Sequence, residues 1–165
     1  MRAGNAQRQA KEPADAEAPA PFFAGYLPYL LARASFLVSR EFHEQLAPCG
    51  IDVPTWRVLA ILSDGAGMTI GDLAAIALLK QPTLTKVVDR MEAAGLVRRG
   101  GGAEDRRKVL VTIAPAGRDL VTTLLPRALA HEAVVLGDYT ADEKRLLKRV
   151  LTTLIERTGV ERAGR

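Results

Sequence analysis

Apolar residues recur at the three- and four-residue spacing of amphipathic helices over most of this chain. The pattern predicts a long first helix from near Phe22 to about Ala47, and a second helix that Asp52 opens. A third helix is expected to begin at Thr69, because this hydroxyl stands three residues before a carboxylate, an acidic variant of the capping box. Three helices in succession predict a mainly α fold.

The fourth predicted helix begins near Gln81 and ends at Gly95. Pro82 suits its first turn, where a missing N–H breaks no hydrogen bond. Glycine is a common helix stop because it adopts the left-handed conformation without strain. The apolar stripe of this helix consists of Leu84, Val87, Val88 and Met91. The opposite face is polar and is therefore free to bind a partner.

A basic hairpin follows this helix. Two short apolar strands between Leu96 and Ile113 enclose a glycine-rich loop. In the second strand Val109, Val111 and Ile113 occupy alternate positions, which predicts a half-buried strand. A helix followed by a basic hairpin is the layout of a winged helix-turn-helix. The predicted fold class is therefore mainly α with a small β-hairpin wing.

The C-terminal part of the chain predicts two more helices. One runs from Pro115 to about Leu136 and contains Pro126, which is expected to kink it. A full capping box that begins at Thr140 opens the last helix. The last helix has one apolar face, made of Leu146, Leu147, Val150, Leu151, Leu154 and Ile155. This face and the stripe of the first helix lie outside the helix-turn-helix, so they predict a homodimer with interleaved terminal helices.

The expected organisation has five parts. They are a disordered tail over residues 1–21, an N-terminal dimerisation helix over 22–52, a winged helix-turn-helix DNA-binding domain over 53–113, C-terminal dimerisation helices over 114–158 and a disordered tail over 159–165. The first tail lacks the apolar segment of a signal peptide or membrane anchor. Cys49 is the one cysteine, which fits a reducing compartment. We therefore expect a cytoplasmic protein with no membrane partner.

Positive charge is concentrated between Lys80 and Lys108. This stretch holds eight Lys and Arg and four Asp and Glu, a net of +4, which equals the net charge of the whole chain. Such a concentration favours double-stranded DNA as the partner. Enzyme chemistry has no comparable support, because His43, His131 and Cys49 are scattered and no phosphate-binding glycine loop or nucleophile elbow occurs. We expect no metal, no cofactor and no enzyme activity.

The polar face of the fourth helix supplies the first candidate DNA contacts. These are Gln81, Pro82, Thr83, Thr85, Lys86 and Arg90. Short polar side chains in the first turn can approach base edges, while Lys86 and Arg90 reach bases or phosphates. The hairpin loop adds Asp105, Arg106 and Arg107. The alternatives are a merely solvated basic surface, or a winged helix that binds protein, which would need an apolar or acidic face here.

The order of these elements, together with several local segments, resembles the MarR family of bacterial transcription regulators. The segments are Val53–Leu59, Thr69–Ala74, Thr83–Arg99, Asp105–Arg107 and Ala116-Gly117. The likeness spans roughly Leu27 to Glu156. It implies a homodimeric cytoplasmic repressor, less often an activator, that binds a short palindrome and is released by a small ligand, often a phenol or an aromatic carboxylate. It also implies that Arg107 enters the minor groove.

Three residues are candidates for effector binding. Trp56 could line a pocket for an aromatic ligand or lie in the core, and Arg40 and His43 could pair with a ligand carboxylate or make surface or dimer contacts. Cys49 offers a redox alternative, although redox-sensing relatives usually carry the cysteine in the first helix and most lone cysteines are inert. The leading hypothesis is a repressor released by a small aromatic or anionic ligand. The alternatives are a redox-responsive regulator that uses Cys49 and a winged-helix protein-interaction module.

Overall fold

The computed structural model describes residues 21–65, 67–101 and 109–160. The helices are α1 (Phe22–Gly25), α2 (Leu27–Leu46), α3 (Val53–Leu62), α4 (Ile70–Ile76), α5 (Gln81–Ala93), α6 (Pro115–Val135) and α7 (Ala141–Val160), with a 3₁₀ turn (Ala47–Cys49) after α2. The strands are β1 (Met68–Thr69), β2 (Val97–Gly101) and β3 (Val109–Ile113). The prediction of a mainly α fold with a small β wing is confirmed. No helix in the described ranges is long and apolar enough to cross a bilayer.

The chain divides into two units, Met1–Leu37 and Val38–Arg165. The described part of the first unit holds α1 and the beginning of α2, and the ring of Phe22 stacks on that of Tyr26 at 5.2 Å. The sequence predicts one continuous helix from Phe22, whereas in the structure Tyr26 is extended and separates α1 from α2. Pro28 explains the break, because it lacks the N–H that a continuous helix needs at that position.

The second unit contains two apolar clusters. The larger cluster joins α3, α4, α5 and the sheet, and its fully buried side chains include Leu59, Leu84 and Val111. The smaller cluster packs the end of α2 against α3 and α6, and its buried members are Phe42, Leu46, Ile51, Trp56 and Leu124. The larger cluster therefore holds the helix-turn-helix and the wing strands together and also includes Val121 of α6, while the smaller one adds a second contact between α3 and α6.

The wing strands belong to a three-stranded antiparallel sheet with the order β1-β3-β2. The sequence predicts only two of these strands; β1 is the addition, and it pairs Met68 with Val111. A two-residue strand is too short to show alternation, so no pattern marks it. In β3, Val111 and Ile113 are buried as predicted, but Val109 is exposed. Val109 lies opposite Gly101 at the outer end of the hairpin, so its cross-strand partner has no side chain to cover it.

Side-chain caps begin several helices where the sequence predicts them. The Asp52 carboxylate accepts the Thr55 N–H at 2.9 Å before α3. Before α4 and α7 the hydroxyls of Thr69 and Thr140 each accept the N–H three residues later, at 3.2 and 3.3 Å. These bonds satisfy backbone donors that have no partner inside the helix. Helix α6 has no side-chain cap and continues through Pro126 as one helix.

Candidate nucleic-acid interface

Helix α5 has one buried and one exposed face. Its apolar stripe is at most 3% exposed, as predicted for Leu84, Val87, Val88 and Met91. The helix ends in a Schellman motif, in which the N–H groups of Gly95 and Leu96 donate to the carbonyls of Glu92 and Met91, both at 2.9 Å. Gly95 has a φ of +71°, as its predicted role requires. The buried stripe fixes which side of α5 faces outward.

The outward face carries most of the predicted contact residues. Gln81, Pro82, Thr83, Lys86 and Arg90 are exposed. An open depression of about 520 Å³ is lined by Pro82, Thr83, Lys86, Val87 and Arg90. Thr85 differs, because it is half-buried and its Oγ1 donates to the Gln81 carbonyl at 3.0 Å. Its hydroxyl is therefore engaged within the helix and is less available to a base than the sequence pattern suggests.

Arg90 is paired within the chain. Its guanidinium donates to the Asp52 carboxylate at 3.0 Å, and both side chains remain largely exposed. Partial burial pushes the pKa of Asp52 upward, but hydrogen bonds from Thr55 and Arg90 outweigh it, so the pKa lies below its ordinary value. A phosphate would have to compete with Asp52 for Arg90. Lys86 has no ion-pair partner in the part of the chain that the structure describes.

Arg99, in β2, connects the wing to α5. Its guanidinium contacts the carboxylates of Asp89 and Glu92, each at 2.7 Å, and its backbone N–H donates to Glu92 Oε1 at 2.9 Å. The hydrogen bonds that Arg99 donates to Glu92 lower the pKa of this carboxyl, the backbone N–H contributing most. No spacing in the sequence marks this contact, because it joins a helix to a strand beyond the helix end. The candidate residues on α5 and the strands of the wing are thereby held in one arrangement.

The predicted wing contacts Asp105, Arg106 and Arg107 lie outside the described residues. Strand β2 ends at Gly101 before them, and β3 begins at Val109 after them. The strands on either side of the loop thus have the antiparallel pairing that a wing requires. The contact of these three residues with DNA stays a prediction.

The aromatic candidate Trp56 lies in the smaller core cluster. It is 9% exposed, and its ring meets that of Phe42 edge-on, with the ring centroids 5.4 Å apart. Most of the Trp56 side chain therefore belongs to the core, and only its small exposed part is available to a ligand. Phe42 also faces the imidazole of His131, with ring centroids 6.0 Å apart. Two aromatic rings and an imidazole thus lie side by side.

His131 has a buried nitrogen without a hydrogen bond. Its side chain is 10% exposed, and no described residue satisfies its Nε2. The Oε2 of Glu41 lies 3.7 Å from this nitrogen, too far for a hydrogen bond. A buried polar atom without a partner is unfavourable, so water or a ligand is expected to bind it. The sequence shows His131 only as an isolated histidine, because its neighbours come from distant parts of the chain.

His43 is half-buried, and the side chains of Arg57 and His131 lie close enough to act on its charge. Burial contributes most to lowering its pKa, and the positive charges of Arg57 and His131 lower it further. We call His43, Arg57 and His131 the histidine cluster. Arg40, the other cation predicted to bind a ligand, is exposed, and within the described ranges no contact joins it to this cluster. Arg57 and His131 are therefore the charged neighbours of His43, and the role of Arg40 in ligand binding stays a prediction.

Cys49 is half-buried in the 3₁₀ turn. An N–H of Arg127 donates to its Sγ at 3.7 Å, and the Sγ donates to the Gln45 carbonyl at 3.9 Å. Both are long contacts of a weakly polar atom, so they hold the side chain only loosely. The redox interpretation of Cys49 stays a hypothesis.

Sequence comparison places this arrangement among known regulators. The sequence model of the MarR family matches residues 50–108, the segment from the turn before α3 to the wing. The chain is 30% identical over 128 residues to the transcriptional repressor Rv2887 of Mycobacterium tuberculosis. That match covers 78% of this chain and 92% of the repressor.

Solved structures give the same result. The MarR family transcriptional regulator SPO1453 from Silicibacter pomeroyi is 39% identical, with a TM-score of 0.70 over 81% of this chain and 98% of that one. The structure of Rv2887 from M. tuberculosis in complex with salicylic acid is 30% identical, with a TM-score of 0.64 over 78% and 96% of the two chains. The shared segment includes the helix-turn-helix, the wing strands and the flanking helices. The chain therefore belongs to the MarR family of winged helix-turn-helix transcription regulators.

Proposed function

We propose that this chain is a dimeric transcriptional repressor that binds a twofold-symmetric DNA site and leaves it when a small aromatic carboxylate binds. The two faces of α5 carry the proposal. A fully buried stripe anchors the helix, and the outward face presents the amide of Gln81, the hydroxyl of Thr83 and the ammonium group of Lys86. A helix with such a face fits the major groove, which is about 12 Å wide.

The proposed contact residues have different roles. Gln81 and Thr83, in the first turn of α5, read base edges. Lys86 binds a phosphate, because no carboxylate in the described chain engages it. Arg90 exchanges its carboxylate partner for a phosphate. Arg107 of the wing enters the minor groove, where readout is largely limited to A·T against G·C.

A second copy of the chain is proposed to cover the apolar face of α7. In a single chain Leu146, Leu147, Val150 and Ile155 are 44–69% exposed. A contiguous apolar surface of this kind usually marks an interface. The first unit also exposes apolar side chains, among them Phe22, Leu27 and Leu30. A twofold dimer places two copies of α5 at half-sites about 34 Å apart, which suits a palindrome.

The proposed effector site is the histidine cluster beside Phe42 and Trp56. An aromatic carboxylate brings an anion for the cluster and a ring for the aromatic side chains. The buried Nε2 of His131 is the group that such a ligand satisfies. The Rv2887 structure contains salicylic acid, which has this chemistry. The cluster includes Arg57 of α3, and α3 packs against α5, so a ligand there can displace the DNA-binding helix.

The test of DNA binding begins with selection from a random duplex library by the full-length chain. We call the enriched sequence the operator duplex. With three to five phosphate contacts per protomer, the log–log salt slope of binding should be about −5 to −9. Lys86→Ala should flatten it by about two, one phosphate contact per protomer. Arg157→Ala, the same change of charge at the end of α7, should leave it unchanged. A chain that enriches no duplex would overturn the proposal.

The effector is tested by adding salicylate to the complex of chain and operator duplex. Salicylate should release the wild-type chain, and His131→Gln should require about tenfold more of it because a charge-assisted hydrogen bond is lost. Arg40→Gln, on the same helix as His43 but outside the cluster, should respond like the wild type. If aromatic carboxylates have no effect while peroxide releases DNA, and Cys49→Ser abolishes that release, the redox alternative is correct.

A further inference from the structure

Leu78, in the turn between α4 and α5, has a backbone conformation that leucine rarely adopts. Its φ is +58°, and in residues 21–65, 67–101 and 109–160 no other non-glycine residue has a positive φ. Two hydrogen bonds impose it: the Leu78 N–H donates to the Ala75 carbonyl at 3.3 Å, and the Leu79 N–H donates to the Ala74 carbonyl at 3.0 Å. This is the Schellman motif, in which glycine usually occupies the position of Leu78.

Glycine makes the equivalent bonds at two other stops in this chain. Gly95 after α5 and Gly50 after the 3₁₀ turn have φ values of +71° and +68°. Each donates its N–H to the carbonyl three residues earlier, at 2.9 Å, as Leu78 does. A Cβ in this conformation is crowded by the backbone. Leucine at position 78 is therefore strained where glycine would not be.

Packing against the described residues does not offset this strain. The side chain of Leu78 is 80% exposed, whereas Ala77 before it is buried and Leu79 after it packs against the larger core cluster. Water around an apolar side chain is a second unfavourable contribution. The turn needs the left-handed conformation but not a leucine, and non-glycine residues held in such conformations are concentrated at functional positions. The position of Leu78 therefore calls for a binding partner.

We propose that Leu78 is a specificity-determining DNA contact that packs against the methyl group of a thymine at the edge of the major groove. This inference rests on the DNA binding proposed above. Leu78 stands three residues before Gln81, and three residues span at most about 11 Å. That distance is shorter than the groove is wide, about 12 Å. When the first turn of α5 lies in the groove, Leu78 reaches the groove edge.

The thymine methyl is the apolar group that base pairs present in the major groove. The carbons of deoxyribose are the other apolar surface within reach of the turn. Contact with either one buries the leucine side chain, and glycine could make neither contact. Only the methyl group depends on sequence, so replacing thymine by deoxyuridine separates the two.

The experiment uses the full-length chain and the operator duplex. Leu78→Gly and Leu78→Asn remove the apolar side chain and suit a left-handed φ, while Leu78→Met keeps an apolar side chain. The Gly and Asn variants should bind about tenfold more weakly, since a dimer loses two apolar contacts, and the Met variant should stay within about twofold of the wild type. The free Gly variant should melt at the wild-type temperature or up to about 3 °C above it.

Three results would overturn the inference. Equal affinity in all four proteins would show that Leu78 does not touch DNA, and would leave the proposed function intact. A Gly variant that melts well below the wild type would show a packing role. Weaker binding by the Gly variant alone would show that the turn needs rigidity and not an apolar side chain.

Single thymine-to-deoxyuridine replacements in the operator duplex identify the atom that is contacted. One position per half-site should weaken the wild type and have no effect on Leu78→Gly. If no position behaves in this way while the Gly and Asn variants still bind weakly, the methyl assignment is wrong and the sugar is the partner. If the wild type enriches no duplex at all, the proposed function and this inference fall together.

Discussion

A Cβ atom at Gly117 would lie 2.3 Å from the carbonyl oxygen of Leu96. That oxygen already accepts the Ala114 N–H at 2.9 Å, so the first turn of α6 is seated on the segment between α5 and β2. Gly117→Ala should lower the free energy of unfolding by about 3 kcal/mol, because backbone must move. Gly100→Ala, whose Cβ would meet nothing within 4 Å, is the control for urea denaturation. An equal loss in both variants would contradict the close approach.

His43 makes stability depend on pH near neutrality. Burial, Arg57 and His131 lower its pKa from 6.5, so the unfolded chain takes up the proton more readily than the folded chain. The contribution of neutral His43 to the free energy of unfolding is complete above the pKa of the unfolded chain, and it is lost as the pH falls through the folded-state pKa. The melting temperature should therefore decrease between about pH 7 and about pH 5, and His43→Gln should flatten the decrease. An unchanged slope in the variant would assign it to another group.

Asp52→Asn separates the helix cap from the ion pair. Asparagine still accepts the Thr55 N–H, but it does not attract Arg90 as an anion does. Because the pKa of Asp52 is lowered from 3.8, its charge stabilises the fold above that value and the contribution is lost as the pH falls through the folded-state pKa. At about pH 7 the variant should lose under about 1 kcal/mol, because the pair is largely exposed. Denaturation at a pH below the folded-state pKa of Asp52 should show no difference.

The wing is tested by Arg107→Ala. If this arginine enters the minor groove in each protomer, the variant should bind operator and unrelated duplexes more weakly to a similar degree. Its log–log salt slope should be flatter by about two, since the dimer loses two charges. Thr83→Ala, by contrast, should weaken only operator binding. An unchanged affinity and slope for Arg107→Ala would exclude the wing loop as a DNA contact.

The dimer is tested on α7. Glutamate at both Leu147 and Leu151 places charges in the proposed interface, and light scattering should then find monomers or unfolded chain. Lys144→Glu, which changes the charge of the same helix by the same two units, should leave the dimer intact. A double variant that remains a tight, stable dimer would show that α7 is not the interface.

Local signals made most of the helices predictable. Helix α5 was predicted from three such signals: the proline of its first turn, its apolar stripe and Gly95. Each depends only on residues close to it in the sequence, and the structure confirms each of them. Thr140 likewise forms the predicted capping box of α7. Strand β1 could not be predicted, because two residues become a strand only by pairing with β3. The break at Tyr26 has a local cause in Pro28, but the apolar spacing continues across it.

The candidate site was predictable only where a single helix face defines it. The exposure of Gln81 and Lys86 follows from the buried stripe on the other side of α5. The partners of Arg90 and Arg99 do not follow from it, because those contacts form between elements that only the tertiary fold brings together. The same holds for His131, whose neighbours Glu41 and Phe42 lie on α2. Charge counts along the chain predict that these cations lie near DNA but cannot show which of them are already paired.

The bonds of Arg99 to Asp89 and Glu92 have a kinetic consequence for release. They couple β2 to α5, so a rotation of the helix also displaces this strand of the wing. Contacts in neighbouring grooves would then be broken in one step, and a partly detached protomer held by the wing alone would be short-lived. With Arg99 intact, dissociation of the chain from DNA should follow a single exponential. An effector that displaces α5 should increase its rate. With Arg99→Gln, helix and wing would detach separately, and a second, slower phase should become visible.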